Sequence, residues 1–135
     1  MTKVMGAVFV GIDVSACMLV VALESDHQPG RQRREFPNTA AGHQVLIQWL
    51  SKSATAVQVC LEATGLYSLD LALALDRAEG IEVMVANPRA IADFAKALLQ
   101  RSKTDKLDAE VMLEFVRRMP FVPWQPNLTD STCAP

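Results

Sequence analysis

Asp105 and Asp108 lie three residues apart in the stretch RSKTDKLDAE (101–110), among the cations Arg101, Lys103 and Lys106. At that spacing two carboxylates share one face of a helix's first turn. The plain reading is a helix N-terminus, where the macrodipole favours each acid by about 0.3–1 kcal/mol. The sharper reading is half of a metal site, with the neighbouring bases holding phosphates beside it. Two more acids sit where acids are expensive. Asp13 interrupts the apolar run AVFVGIDVS (7–15), and Glu62 closes VQVCLE. A buried carboxylate without a partner costs several kcal/mol, so each demands a cation, a metal or an elevated pKa. If the two runs are parallel neighbouring strands, Asp13 and Glu62 come together at strand ends, where α/β folds place their ligand sites. Four converging carboxylates repel one another unless divalent cations neutralise them. Oxygen-only ligands select hard ions, Mg²⁺ or Mn²⁺. Two such ions about 3.5–4 Å apart clamp the attacking and leaving oxygens of a phosphodiester displacement.

The elements that must position these acids follow from periodicity. Residues 7–15 are apolar and β-branched, as expected of a strand buried on both faces. CMLVVALES (17–25) repeats the pattern after a break at Ser15–Ala16, which predicts a tight hairpin. DHQPG (26–30) reads as a turn and RQRREFPNT (31–39) as a polar edge strand that Pro37 ends. Thr39 caps a helix to about Ser51 with Leu46, Ile47, Trp49 and Leu50 buried. A strand at 55–63 and a helix at 66–78 follow, the latter with Leu66, Leu69, Ala72 and Leu73 facing inward and Gly80 as its stop. IEVMVAN (81–87) is a further strand. Asn87 and Pro88 supply an N-cap and a first-turn proline, with Ile91, Phe94, Ala95 and Leu98 inward. Residues 100–103 read as a basic loop, Thr104 caps a last helix to about Met119, and PFVPWQPN is an extended exit. The order β-β-β-α-β-α-β-α-α predicts a mixed α/β sheet with helices on its faces.

Composition sets outer limits. The chain has 135 residues, half of them hydrophobic, and a net charge of −2, so attraction to nucleic acid must be local. Three distant cysteines, Cys17, Cys60 and Cys133, form no zinc pattern, and Cys60 in an apolar run reads as a buried reduced thiol suited to a cytoplasm. Asp13 breaks the long apolar N-terminal stretch, which therefore predicts no membrane span, and no signal peptide is evident.

Four strings carry a resemblance: GIDVS (11–15), LEATGLY (61–67), NPRAIADFAK (87–96) and KTDKLDAEVM (103–112). In order and approximate spacing they resemble the N-terminal domain of the DEDD transposases of the insertion-sequence 110/1111 group, which includes the pilin-gene inversion recombinases. The resemblance implies a ribonuclease-H-like, RuvC-like fold with a five-stranded mixed sheet and helices on both faces. It maps the family's acidic tetrad onto Asp13, Glu62, Asp105 and Asp108. It also implies two Mg²⁺ (or Mn²⁺) ions, DNA cleavage and strand transfer for an insertion sequence, DNA as partner, a structured guide RNA in some members, and a homo-oligomer in the full-length protein. Arg101, Lys103 and Lys106 are the expected nucleic-acid contacts. Two departures stand out. Ala16 follows GIDVS where the family usually has lysine, and full members continue into a helical linker and a serine-bearing second domain. The expectation is thus a catalytic domain at 1–120 and an exit at 121–135, without the second domain and unable to complete transposition alone.

Two rival readings remain at this stage. One is a remnant that binds nucleic acid or dimerises without cutting. The other is a lobe of an actin-like or sugar-kinase ATPase, whose phosphate loop also opens with an aspartate after a strand. Smaller features have plain readings: Trp49 and Phe94 as core, Arg31, Arg33 and Arg34 as a solvated edge, Trp124 as packing for the exit, and no role for His27 or His43. Tyr67 fits either the site or the core.

Overall fold

The computed structural model describes residues 7–25, 28–53, 56–63, 65–102 and 108–125, with backbone alone for 28, 29, 53, 99–102 and 108. Five strands, β1 (Val8–Val14), β2 (Met18–Ser25), β3 (Gln28–Pro37), β4 (Val57–Glu62) and β5 (Ile81–Ala86), form one sheet in the order β3-β2-β1-β4-β5. The helices are α1 (Ala40–Ser53), α2 (Leu66–Arg77), α3 (Pro88–Ser102) and α4 (Asp108–Arg118). The β1–β2 and β2–β3 pairs are antiparallel, whereas β1–β4 and β4–β5 are parallel. This is the mixed α/β sheet expected from the element order.

Alternation along the central strands divides the core in two. Val8, Val10, Ile12 and Val14 of β1 and Val57, Val59 and Leu61 of β4 point to the face covered by Leu46 and Leu50 of α1 and Leu71, Ala72 and Leu75 of α2. Phe9, Cys60 and Met84 point to the opposite face, against Ile91 of α3 and Met112, Leu113 and Val116 of α4. Near-continuous apolar runs such as VFVGI are what two covered faces demand.

Gly11 governs how α4 sits. A Cβ built at Gly11 would fall inside 3 Å of Ala109, Met112 and Leu113, all backbone atoms of α4. Only hydrogen at this position lets the helix backbone rest on β1. Arg31 of β3 then ties α4 down from the sheet's far side. Its guanidinium bonds Glu24 of β2 at 2.8 Å, lies 3.6 Å from Glu110 and pairs with Glu114, which Arg118 also bonds at 2.8 Å. Burial opposes the charge on Glu114, but Arg31 and Arg118 outweigh it and hold the carboxyl below its ordinary range.

Local signals match in several places. Thr39 Oγ1 accepts from the Gly42 amide at 3.0 Å, and Asn87 Oδ1 accepts from the Arg89 amide at 2.7 Å, so both expected N-caps are present. Gly80 follows α2 with φ of 82°. Trp49 packs on Phe36, and Phe94 meets Phe115 edge to face. The exit docks on β5, with the Trp124 amide donating to Val83 O at 2.7 Å.

Four expectations need correction. Strand β3 starts at Gln28, so most of the DHQPG stretch belongs to it and pairs from Ser25–Gln28 onward. Arg31 is an ionic clamp and Arg34 stacks over Phe36 and Trp49 at 5.3 and 5.1 Å, so neither is a merely solvated edge residue. Helix α2 buries Ser68, Leu71, Ala72 and Leu75, while Leu66 and Leu69 stay 83% and 42% exposed. Helix α3 runs to Ser102, into the segment read as a basic loop, because polar residues do not by themselves stop a helix. Thr104, assigned as a cap, lies outside the described residues.

Two stability tests follow. Gly11→Ala is expected to lower the free energy of urea unfolding by about 1–3 kcal/mol through overpacking against α4. Arg31→Ala, which leaves Glu114 nearly buried with one partner fewer, is expected to cost about 1–3 kcal/mol at neutral pH. A depressed carboxyl pKa stabilises the fold above its unfolded value of about 4.3 and loses that contribution as pH falls through the folded value. The gap between wild type and Arg31→Ala should therefore narrow in unfolding curves taken at progressively lower pH.

Candidate metal and nucleic-acid site

The parallel ladder between β1 and β4 runs from Val8–Val57 to Ile12–Leu61. Asp13 and Glu62 are the next residue on each strand, so the neighbourhood expected for them is present. Adjacent strands lie about 4.8 Å apart, close enough for two carboxylates to feel each other strongly. Alternation puts Asp13 on the face of Gly11, and Glu62 on the face of Cys60, both toward α3 and α4. Both acids are half-buried and both make interactions within the fold.

Helix α4 begins at Asp108, one residue before Ala109, whose carbonyl borders Gly11. The same close approach that seats α4 on β1 thus brings its N-terminus to the strand that carries Asp13 two residues further on. Glu62 borders a cavity of about 200 Å³ with Pro88, Ile91, Ala92, Ala95, Val111 and Met112, at the junction of α3 and α4. The structure brings Asp13, Glu62 and the start of α4 to one end of the sheet. Asp105, Lys103 and Lys106 lie outside the described residues, as do the side chains of Asp108 and Arg101. Among the described residues no group of three or more His, Cys, Asp and Glu side chains gathers at metal-holding distance.

The surroundings sharpen the site's chemistry. Burial, reinforced by the charge of Glu62, pushes the Cys60 thiol up to about 12. The expected inert thiol is thus inert partly because a carboxylate stands two residues away. On the opposite face, one residue joins the β1–β2 turn after Asp13 to the first turn of α2. Asn38, at the end of β3, donates through Nδ2 to Ser15 O at 2.8 Å and to Tyr67 O at 3.0 Å. Its Oδ1 lies 2.7 Å from Nε2 of His43, whose pKa burial lowers against a weaker opposing pull from Asp70. These residues, together with Ala16, Tyr67 and Arg77, line a cavity of about 530 Å³. Sequence reasoning assigned His43 no role and passed over Asn38, because a polar residue between proline and a helix start reads as turn chemistry.

A family profile described as transposase, of the DEDD type from insertion sequence 110, matches residues 10–132, a span that includes all four acids. Among solved structures the chain is similar to Thermus thermophilus RuvC in complex with Holliday junction substrate, with a TM-score of 0.57 and 13% identity over 87% of this chain and 99% of that one. It is also similar to a second T. thermophilus RuvC structure, with a TM-score of 0.54 and 16% identity over 86% and 98% of the two chains. At these identities the likeness concerns the fold, which is therefore ribonuclease-H-like. No curated protein sequence matches the chain. Among the described residues no helix is long and apolar enough to cross a membrane.

Thiol labelling checks the electrostatics around Glu62. In a Cys133→Ser background at pH 8, exposed Cys17 should react with a thiol reagent while Cys60 stays unmodified until the protein unfolds. Native-state labelling of Cys60 at a rate comparable to Cys17, read by peptide mass spectrometry, would contradict its burial beside that carboxylate.

Proposed function

Because the chain belongs to the DEDD transposases of the insertion-sequence 110 group, we propose that it is a catalytic domain for metal-dependent DNA strand cleavage and transfer. In this reading Asp13, Glu62, Asp105 and Asp108 hold two Mg²⁺ or Mn²⁺ ions, and Arg101, Lys103 and Lys106 grip the phosphates on either side of the scissile bond. One observation carries it: Asp13 and Glu62 lie side by side near the ends of adjacent parallel strands, on the face covered by a helix that starts at Asp108. The family match favours this reading over an ATPase lobe.

The donor set suits the ions. Asp13 and Glu62 offer hard oxygens at a separation where two uncompensated carboxylates would repel, and an all-oxygen set favours Mg²⁺ or Mn²⁺. When bound, such ions supply Lewis-acid stabilisation of the oxygens exchanged at phosphorus. The chain's own contribution is placement. Strands β1 and β4 fix the backbone of two carboxylates, and Gly11 fixes the approach of the helix that carries a third. The bases of 101–106 would then meet the phosphate backbone without reading its sequence, because phosphate contacts position and base contacts specify. Branched DNA is the substrate to try first, given the Holliday junction bound by the similar RuvC. A structured guide RNA, assembly into a homo-oligomer and a serine-bearing second domain complete the proposal for the whole protein.

Calorimetric titration with Mn²⁺ tests the assignment. Asp13→Ala and Asp108→Ala should each weaken binding by at least about 10-fold, the lower bound for losing even a supporting partner of a metal site. Thermal unfolding of both variants should remain cooperative. Affinity unchanged by Asp13→Ala would sink the tetrad and leave a nucleic-acid-binding remnant as the better reading.

A further inference from the structure

We propose that Asn38 and His43 are positioning residues for the acidic site, acting as a bracket that locks the β1–β2 turn after Asp13 to the first turn of α2, which follows the Glu62 strand. The inference rests on the tetrad reading above for its purpose, but its geometry stands independently.

Three chain segments meet at Asn38. Its side-chain amide donates to Ser15 O, two residues after Asp13, and to Tyr67 O, five residues after Glu62. Its backbone amide donates to Cys17 O at 2.9 Å, within the same β1–β2 turn. That turn is further closed by Ser15 Oγ, which donates to Met18 O at 3.0 Å and accepts from the Met18 amide at 3.2 Å. An amide side chain has one donor end and one acceptor end. With both carbonyls on one side, the nitrogen must face them and Oδ1 must face His43, because the reverse orientation would set oxygen against two oxygens.

His43 fixes that orientation. Since Oδ1 only accepts, Nε2 of His43 carries the proton and donates, at 2.7 Å. His43 as a residue is 5% exposed and Asn38 is half-buried, so the bond is part-buried. Its delivery depends on Gly42: a Cβ there would run into the carbonyl of Pro37, so glycine lets the first turn of α1 close over the end of β3. Thr39, the cap of the same helix, accepts the His43 amide at its carbonyl, at 2.8 Å. The stretch PNTAAGH thus reads as one device: a strand end, an amide bracket, a cap, a close approach and the histidine that orients the amide.

The consequence lies across the sheet. Asp13, one residue before the end of β1, and Glu62, the last residue of β4, lie just past the final β1–β4 pair, Ile12–Leu61, although Asp13 still pairs with Val20 of β2 and Glu62 with Ala86 of β5. Ladder hydrogen bonds hold the two strands up to that pair. Beyond it, the link from Ser15 through Asn38 to Tyr67 joins the same two chain segments again. The acids are therefore held between two fixed points. Groups bonded directly to metal ligands govern affinity by about 10–100-fold, and Asn38 acts one step further out, on the backbone that follows the two acids.

The test compares Asn38→Asp, His43→Ala and His43→Gln in this chain, reading Mn²⁺ affinity by calorimetry, amide hydrogen exchange, and thermal unfolding. Asn38→Asp keeps the size but loses both donated bonds. His43→Gln retains a donor near Nε2. The expected result is Mn²⁺ binding weakened severalfold, up to about 10-fold, in Asn38→Asp and His43→Ala, the range below that for a direct partner of a metal ligand, and largely recovered in His43→Gln. Exchange should accelerate at 15–18 and 66–68 without a matching rise in the sheet. Wild-type affinity and exchange in both Asn38→Asp and His43→Ala would overturn the bracket. So would losses that simply follow melting temperature and that glutamine does not restore. If the wild-type chain itself binds no Mn²⁺, the tetrad reading fails, and local exchange alone then decides whether the bracket exists. Should Asn38→Asp not fold, the His43 pair carries the same comparison.

Discussion

The missing side chain at Gly11 is the constraint on which the site's construction depends. A helix normally stands off a sheet by the thickness of the side chains between them. Here the backbone of α4 reaches β1 directly at Ala109, Met112 and Leu113. That contact sets the height of the helix's N-terminus over the sheet two residues before Asp13, on the strand that bears it. The rest of α4 is held by apolar packing of Val111, Met112, Leu113 and Val116 and, at its far side, by the ionic cluster of Arg31 with Glu24, Glu110 and Glu114. Backbone contact at 109, 112 and 113 and charge pairing at 110 and 114 fix the same stretch of α4 and leave it little freedom to slide.

The sheet's two faces are built for different work. The face under α1 and α2 is closed by large aliphatic side chains, among them Leu46, Leu50, Leu71 and Leu75, and supplies most of the hydrophobic core. The face under α3 and α4 has Gly11, Ala22 and Cys60 on its strands and half-buried acids at its end. Small residues on this side permit close helix approach, while the aliphatic side provides the stability that half-buried carboxylates tend to erode. The sheet's edges are also covered differently. Docking of Trp124 occupies the outer side of β5, and the arginine-rich β3 carries charge at the other edge, which discourages pairing with further strands.

Much of this was legible from residues alone, for physical reasons that can be named. An aspartate inside VFVGIDV is conspicuous because charge is costly among apolar neighbours, whereas the parallel pairing of β1 with β4 entered only as a condition, since β2 and β3 lie between them in the chain. Asn87 and Pro88 announce α3 because capping is a local interaction. The buried stripe of α2 was not legible. Leucines at 66, 69, 71, 73 and 75 outline two overlapping apolar faces, and only packing against the sheet selects the one with Leu71, Ala72 and Leu75. Arg31 was misread for a related reason: its partners Glu110 and Glu114 are some 80 residues away and come near only when α4 crosses the sheet. Asn38 and His43 are five residues apart, yet their bond acquires meaning only through the carbonyls of Ser15 and Tyr67, which tertiary structure brings to them.

The central claim is that strand ends and a glycine-seated helix assemble one acidic metal site. The most direct measurement is an anomalous difference map from crystals of this chain soaked in Mn²⁺. The account predicts manganese density between Asp13 and Glu62, with Asp108 of α4 among its ligands. Manganese bound elsewhere, with Asp13 and Glu62 both turned away from any ion at saturating concentration, would contradict it.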